Sequence, residues 1–185
     1  MTARVSPLAI AGAWKIQAVA NADARGNLSE WFKDSDLRDA TGHGLHVRQA
    51  NWSISRRGVL RGIKVNSGEL VKYVTCVRGA VLDVVVDLRV GSPTFGHWQM
   101  EQLDEDNHTA LYIAEGLGHA FLSLVDDSMV MYLLSETAQS AARAQRPPAR
   151  PRPHDHLAHR HGTAAVTEGF LGAGPARCPA GRTSP

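Results

Sequence analysis

A chain of 185 residues, 43% of them hydrophobic, is long enough for one domain with a real core. Residues 138–185 hold seven arginines and no lysine against Asp155 and Glu168, so this segment contributes +5 to a net charge of +2 and leaves −3 for residues 1–137, which argues against a nucleic-acid-binding core. No apolar run is long enough to span a bilayer, the N-terminus lacks a secretory start, and Cys76 and Cys178 alone do not make a disulfide framework, so a cytoplasmic protein with no membrane or nucleic-acid partner is expected.

The alternating segments Leu8-Ala9-Ile10 and Trp14 to Val19 predict one or two strands. Asn21 to Asn27 is a turn cluster, and Leu28 to Phe32 resumes in extended form with Glu30 between apolar neighbours. Arg25 and Glu30 are near enough in sequence to be expected as a surface ion pair. Asp34 to Asp39 is acidic and short, one helical turn that Thr41-Gly42-His43-Gly44 ends. Leu45 to Ser55 alternates again and sends Gln49 and Asn51 to one side, which suits the polar edge of a ligand as well as a plain solvent-facing strand.

The stretch from Ser55 to Trp98 holds the most regular pattern. Val71 to Val77 is rich in β-branched and aromatic residues, and Arg78-Gly79 is a turn expected to join it in a hairpin to the next strand. In that strand Leu82, Val84, Val86 and Leu88 are expected on the buried face, with Asp83, Val85, Asp87 and Arg89 on the wet one. Gly91-Ser92-Pro93-Thr94 breaks the run and Phe95 to Gln99 starts another, which reads as a β-meander. The same stretch carries Arg57, Arg61, Lys64 and Lys72. Each alone belongs on the solvent face; two or three converging would make a cleft for phosphate or carboxylate.

Trp98 to Leu103 and Thr109 to Ile113 are strands separated by the acidic turn Asp104 to Asn107. Gly116 to Phe121 delivers His119 into an apolar strand, where it is by default a core residue and, imidazole being the side chain that changes charge near neutrality, a candidate base. Asp126-Asp127-Ser128 reads as a hairpin turn and Met129 to Leu134 as the final strand. About ten strands with little helix imply an all-β barrel or sandwich. Beyond Ala138, Leu157, Val166, Phe170 and Leu171 are the only large apolar residues and seven of the nine prolines accumulate. Residues 138–185 are therefore expected to be a largely disordered tail after a domain spanning 1–137. His154-Asp155-His156 and His159-Arg160-His161 have metal-ligand spacing but no packed surroundings, so no specific metal site is expected there.

Several blocks recur together in a known order: Asp23-Ala24-Arg25-Gly26 with Glu30, Gln49-Ala50-Asn51, Arg57 to Ile63, Lys72-Tyr73-Val74, Asp87 to Gly96, Gly118-His119-Ala120-Phe121, and Tyr132-Leu133 with Ser135. In this arrangement residues 5–137 resemble the dTDP-4-dehydrorhamnose 3,5-epimerase family, especially its branch that makes deoxysugars for natural products. The resemblance implies a cupin-type β-barrel of jelly-roll kind, homodimeric through N-terminal strand exchange, with no metal or coenzyme. It implies a dTDP-4-keto-6-deoxyhexose as substrate, with Arg25, Glu30, Gln49, Asn51, Arg61 and Lys72 holding the nucleotide, the diphosphate and the 4-keto oxygen. Tyr132 matches the acid that delivers a proton to the far face of the sugar. A proton next to a carbonyl becomes removable when cations such as Lys72 stabilise the developing enolate, and a second group must return it from the other side.

This chain departs from the family pattern at the base. The histidine expected directly after the Arg-Gly-Ile triplet is Lys64, and the link to Lys72 is shorter. The aspartate partner expected in the C-terminal region and a second tyrosine after Tyr132 find no match, and Leu28 stands where an aromatic residue is expected. Lys64 or His119 would then have to serve as base; the alternative is a cupin-fold protein that binds a dTDP-sugar without turning it over.

Overall fold

The computed structural model describes residues 3–65 and 68–137. The expected disordered tail and its histidine tracts lie outside the described residues.

Twelve strands and one helix follow in order: β1 (Arg4–Pro7), β2 (Ala13–Gln17), β3 (Ala20–Asp23), β4 (Gly26–Ser29), α1 (Asp34–Thr41), β5 (Gln49–Ser55), β6 (Leu60–Val65), β7 (Lys72–Arg78), β8 (Ala80–Asp87), β9 (Trp98–Asp104), β10 (Thr109–Ile113), β11 (Leu117–Ser123) and β12 (Ser128–Leu134). All pairings are antiparallel. A six-stranded sheet has the order β1-β2-β10-β7-β12-β5, a four-stranded sheet the order β6-β11-β8-β9, and β3 and β4 form a separate hairpin. The first strand falls on Arg4–Pro7 rather than on Leu8 to Ile10, and the acidic segment makes a full eight-residue helix. Gly42 ends that helix in the left-handed region at φ 74°, its N–H bonded to Arg38 O at 2.9 Å.

The meander expected in the centre is corrected. β7 and β8 do not pair: β7 lies between β10 and β12 in the large sheet, and β8 between β11 and β9 in the small one. The turn at Asp126-Asp127 likewise joins β11 of the small sheet to β12 of the large one. The connections cross from sheet to sheet in the manner of a jelly roll, the cupin-type architecture the resemblance implied. The residues that make a tight hairpin and a tight corner are the same small and acidic ones, so local sequence does not separate the two.

β8 is buried on both faces: Val84 and Val86 are inside as expected, but so is the face expected to be wet. Val81 and Val85 belong to the main core cluster with Val74, Cys76, Leu111, Phe121 and Val130, and Asp83 and Asp87 share their side of the strand with no solvent exposure. Each buried aliphatic side chain of this core contributes roughly 1.5–3 kcal/mol relative to exposure, which holds the two sheets face to face. On the far side of the large sheet, Tyr73 Oη donates to Trp31 O at 2.6 Å and its ring packs edge-on against Phe32, while Leu37 of α1 is buried there. One end of the space between the sheets stays open.

Candidate active site

That opening is a cleft of about 710 Å³ whose walls come from β5, β6, β7, β11 and β12. Register decides which side chains face it, because cross-strand partners lie on one face of a sheet. In the large sheet Tyr132 is opposite both Val74 and Asn51, and Leu134 is opposite Lys72, so Asn51, Lys72 and Tyr132 project inward together. In the small sheet His119 is opposite Lys64 and Phe121 opposite Arg61, with a register shift between them. Gly62 permits that shift. It has φ +125°, and a Cβ there would stand 2.6 Å from the Ala120 Cβ and 2.7 Å from its Cα, so any other residue would push β6 away from β11.

Three of the four cations singled out from the sequence, Arg61, Lys64 and Lys72, therefore converge on the cleft, whereas Arg57 does not line it. Arg61 is fixed by Nε donating to Ser55 Oγ at 2.9 Å and by a terminal nitrogen donating to Ile54 O at 3.3 Å. Lys72 is buried, and burial together with the Lys64 charge lowers its pKa to about 8, with Asp83 pulling the other way. Asn51 accepts from Gln49 Nε2 at 2.8 Å, which steers its own amide.

The buried partner of His119 is Asp83. His119 Nε2 lies 2.9 Å from Asp83 Oδ2 and 3.1 Å from Oδ1, with the histidine 5% and the aspartate 0% exposed. A carboxylate in that place accepts a hydrogen bond from Nε2–H, which leaves Nδ1 as the acceptor. The Tyr132 ring meets His119 edge-on at a centroid distance of 6.4 Å, and its hydroxyl is 3.2 Å from Ser53 Oγ. Burial raises the Tyr132 pKa, and the Ser53 contact offsets this only in part, so the phenol keeps its proton. The cleft thus holds a carboxylate-oriented imidazole, a protonated phenol and a group of cations, which is what removal and return of a proton beside a carbonyl requires.

Asp83 and Ser53 were missed by sequence reasoning. Asp83 was assigned to solvent because it alternates with valines; the signal that could have found it is an ionisable residue amid β-branched neighbours facing a histidine-bearing strand. Arg25 and Glu30 do not reach the cleft. Arg25 sits at the tip of the β3–β4 hairpin with its side chain 90% exposed, and its ion pair is with Asp23 at 2.5 Å rather than with Glu30. Leu28 on the same hairpin is 71% exposed.

The Asp87 to Gly96 block, the most distinctive in the sequence, builds a loop and not the cleft wall. Asp87 accepts from Arg89 N, Nε and a terminal nitrogen at 3.0, 2.9 and 2.8 Å, from Ser92 Oγ at 2.5 Å and from Thr94 Oγ1 at 2.6 Å. Burial alone would raise the Asp87 pKa, but these bonds outweigh it and hold the carboxyl well below the usual range. Arg89 also donates to Ala11 O at 2.5 Å, tying the loop to the segment before β2.

Residues 7–147 match the family described as dTDP-4-dehydrorhamnose 3,5-epimerase. A dTDP-4-dehydrorhamnose 3,5-epimerase of Mycolicibacterium smegmatis is 57% identical over 137 residues, covering 73% of this chain and 67% of that protein. Among solved structures, NovW, a 4-keto-6-deoxy sugar epimerase from the novobiocin cluster of Streptomyces spheroides, superposes with a TM-score of 0.71 at 46% identity, over 74% of this chain and 70% of that one. ChmJ, a 3'-monoepimerase of Streptomyces bikiniensis in complex with dTDP-quinovose, gives a TM-score of 0.69 at 48% identity, over 73% and 70%.

Proposed function

The chain belongs to the dTDP-4-dehydrorhamnose 3,5-epimerase family, and from that premise we propose that it epimerises a dTDP-4-keto-6-deoxyhexose at C3, C5 or both, with His119 as base. The observation that carries this is the Asp83–His119 pair facing the same cleft as Tyr132 and Lys72. Asp83 orients the ring and stabilises the imidazolium that forms when Nδ1 takes the proton next to the carbonyl. Lys72, with the Lys64 charge acting on it, is the electron sink at the 4-keto oxygen. Tyr132 then returns a proton from the other side, and the configuration inverts. Lys64, standing where the family pattern has its histidine, acts through its charge.

Asn51 and Gln49 on β5, with Arg61, are assigned to the nucleotide end. Arg25, on a separate hairpin, and Glu30, just after it, lie away from the cleft of their own chain, which supports a homodimer in which that hairpin reaches the cleft of a second copy. Cys76 is a buried free thiol whose pKa burial pushes up to about 11, in keeping with a cytoplasmic protein. Among the described residues no helix is long and apolar enough to cross a membrane.

The test is proton NMR of dTDP-4-keto-6-deoxyglucose with the protein in deuterated buffer. Loss of the C3 or C5 proton signal well above a protein-free control is expected, and the carbon that exchanges names the reaction. Absence of exchange, with dTDP binding retained, would remove the reading of His119 as base. Lys64→His is expected to raise the exchange rate by about tenfold, since a second base then stands opposite His119.

A further inference from the structure

β5 is the edge strand of the six-stranded sheet, and its inward face presents small polar side chains at intervals of two: Asn51, Ser53 and Ser55. Ser55 holds one cation of the cleft, its Oγ accepting from Arg61 Nε at 2.9 Å. Ser53 has a different neighbour. In the β5–β12 ladder Tyr132 stands opposite Asn51 and Val130 opposite Ser53, so the phenol reaches Ser53 by leaning along β12 to the diagonal position. There its Oη comes to 3.2 Å from Ser53 Oγ. The ring is set from the small sheet by His119, edge-on, and Phe121, tilted, each at a centroid distance of 6.4 Å. Those contacts orient the ring, and Ser53, half-buried in the cleft wall, holds its oxygen.

A hydroxyl at this place can do what a carbonyl or carboxylate cannot. It donates to the phenol oxygen and so leaves the phenol proton free for the substrate, whereas a pure acceptor would hold that proton. Its bond also strengthens as the phenol becomes a phenolate, since a hydrogen bond to an ionised acceptor is roughly twice as strong as a neutral one. We propose that Ser53 is the positioning residue of the acid: by donating to Tyr132 Oη it aims the phenol proton at the sugar carbon and decides how many enolates are inverted rather than returned. This rests on the epimerase reading above. In the step it serves, the Tyr132 O–H bond breaks, the enolate electron pair forms the new C–H bond, and the phenolate is left accepting from Ser53. The phenolate then recovers a proton from solvent while His119 Nδ1 gives up to solvent the one it removed, so each group ends as it began. Burial opposes a phenolate at Tyr132, the Ser53 bond favours it, and the Asp83 and Arg61 charges act against and for it in turn. Without Ser53 the enolate still forms, and His119 alone hands the proton back to the face it came from.

The experiment incubates the full chain with dTDP-4-keto-6-deoxyglucose in deuterated buffer and reads by proton NMR both the loss of the C3 and C5 signals and the epimer formed. It compares the parent with Ser53→Ala, Ser53→Thr, Tyr132→Phe and the double variant Ser53→Ala with Tyr132→Phe. Ser53→Ala is expected to keep exchange within about threefold of the parent and to lower inversion by about tenfold, at an unchanged melting temperature. Ser53→Thr keeps the hydroxyl on a residue that suits a strand and is expected to invert within about threefold of the parent. On top of Tyr132→Phe, Ser53→Ala is expected to cost nothing further, because residues that act as a unit are not additive. A further loss of about tenfold in the double variant would show Ser53 working by another route and would overturn the proposal. So would Ser53→Ala inverting at the parent rate, Ser53→Ala losing exchange together with inversion, or a folded Ser53→Thr that inverts no better than Ser53→Ala. Exchange without inversion in the parent would remove Tyr132 as acid, and this proposal with it, while His119 as base still stands; no exchange in the parent would sink the epimerase reading and everything that rests on it.

Discussion

Asp83 and Asp87 are two aspartates on the same face of one strand, both without solvent exposure, and they do opposite work. Asp87 receives five hydrogen bonds from Arg89, Ser92 and Thr94, fixed donors of its own loop, and its charge is fully compensated. Asp83 turns both oxygens towards a single nitrogen, His119 Nε2, and its field reaches Lys72 and Tyr132. A buried carboxylate saturated with donors locks the backbone around it. One left with a single titratable partner transmits its charge to whatever that partner does next.

The sharpest way to break this comparison is at the partner. His119→Asn keeps a hydrogen bond to Asp83 but removes the acceptor, and is expected to lower C3 and C5 exchange by about 10³-fold with little change in melting temperature. A variant that still exchanges at the parent rate would move the base elsewhere. Asp87→Asn should show the opposite profile. It leaves the Arg89 guanidinium facing a neutral amide and is expected to cost about 3 kcal/mol in urea unfolding, while turnover per folded molecule stays unchanged. Because the Asp87 carboxyl titrates below its unfolded range, its contribution is fully present at neutral pH and disappears as pH falls through the acid region. The parent and variant stability curves should therefore converge on acidification.

Tyr132→Phe separates exchange from inversion. The base can still return a deuteron to the face it came from, so wash-in should persist while formation of the epimer falls by about 10²-fold, read by NMR of recovered sugar. Lys72→Met bears on the cost of holding an unpaired amine inside. With a folded pKa of about 8 against an ordinary value near 10.4, the parent is destabilised by on the order of 3 kcal/mol below pH 8. Between pH 8 and about 10.4 the folded state binds fewer protons than the unfolded one, so parent stability rises across that interval. The methionine variant should be more stable at pH 7 by about 1–3 kcal/mol, with the gap closing by pH 10 and activity absent throughout. Equal stability at pH 7 would mean that Lys72 finds a counter-ion in solution.

What could be read from the sequence follows the same division. β5, β7, β10 and β12 were legible because β-branched and aromatic residues in short runs have few other uses, and the blocks around Arg61, Lys72, His119 and Tyr132 carried the site. Pairing was not legible, since Gly79 and Asp126-Asp127 form corners between sheets with the same residues that close hairpins. The second face of β8 was misjudged because a period of two says which residues share a side but not whether the other side is covered as well. Polarity pointed Asp83 outward, and only a partner 36 positions further along, His119, reverses that.

The topology carries one more consequence, for how the chain reaches this state. β2 finds its partner in β10, and Gln17 and Thr109, opposite each other in that ladder, are separated by 92 positions. The loop-closure entropy of such a pairing is met before any of its contacts form, which places the protein among slow folders of high contact order. During synthesis the strands up to β9 wait with an open edge until the segment from Thr109 to Ile113 has left the ribosome, and in that interval they are the part of the molecule most exposed to misassociation.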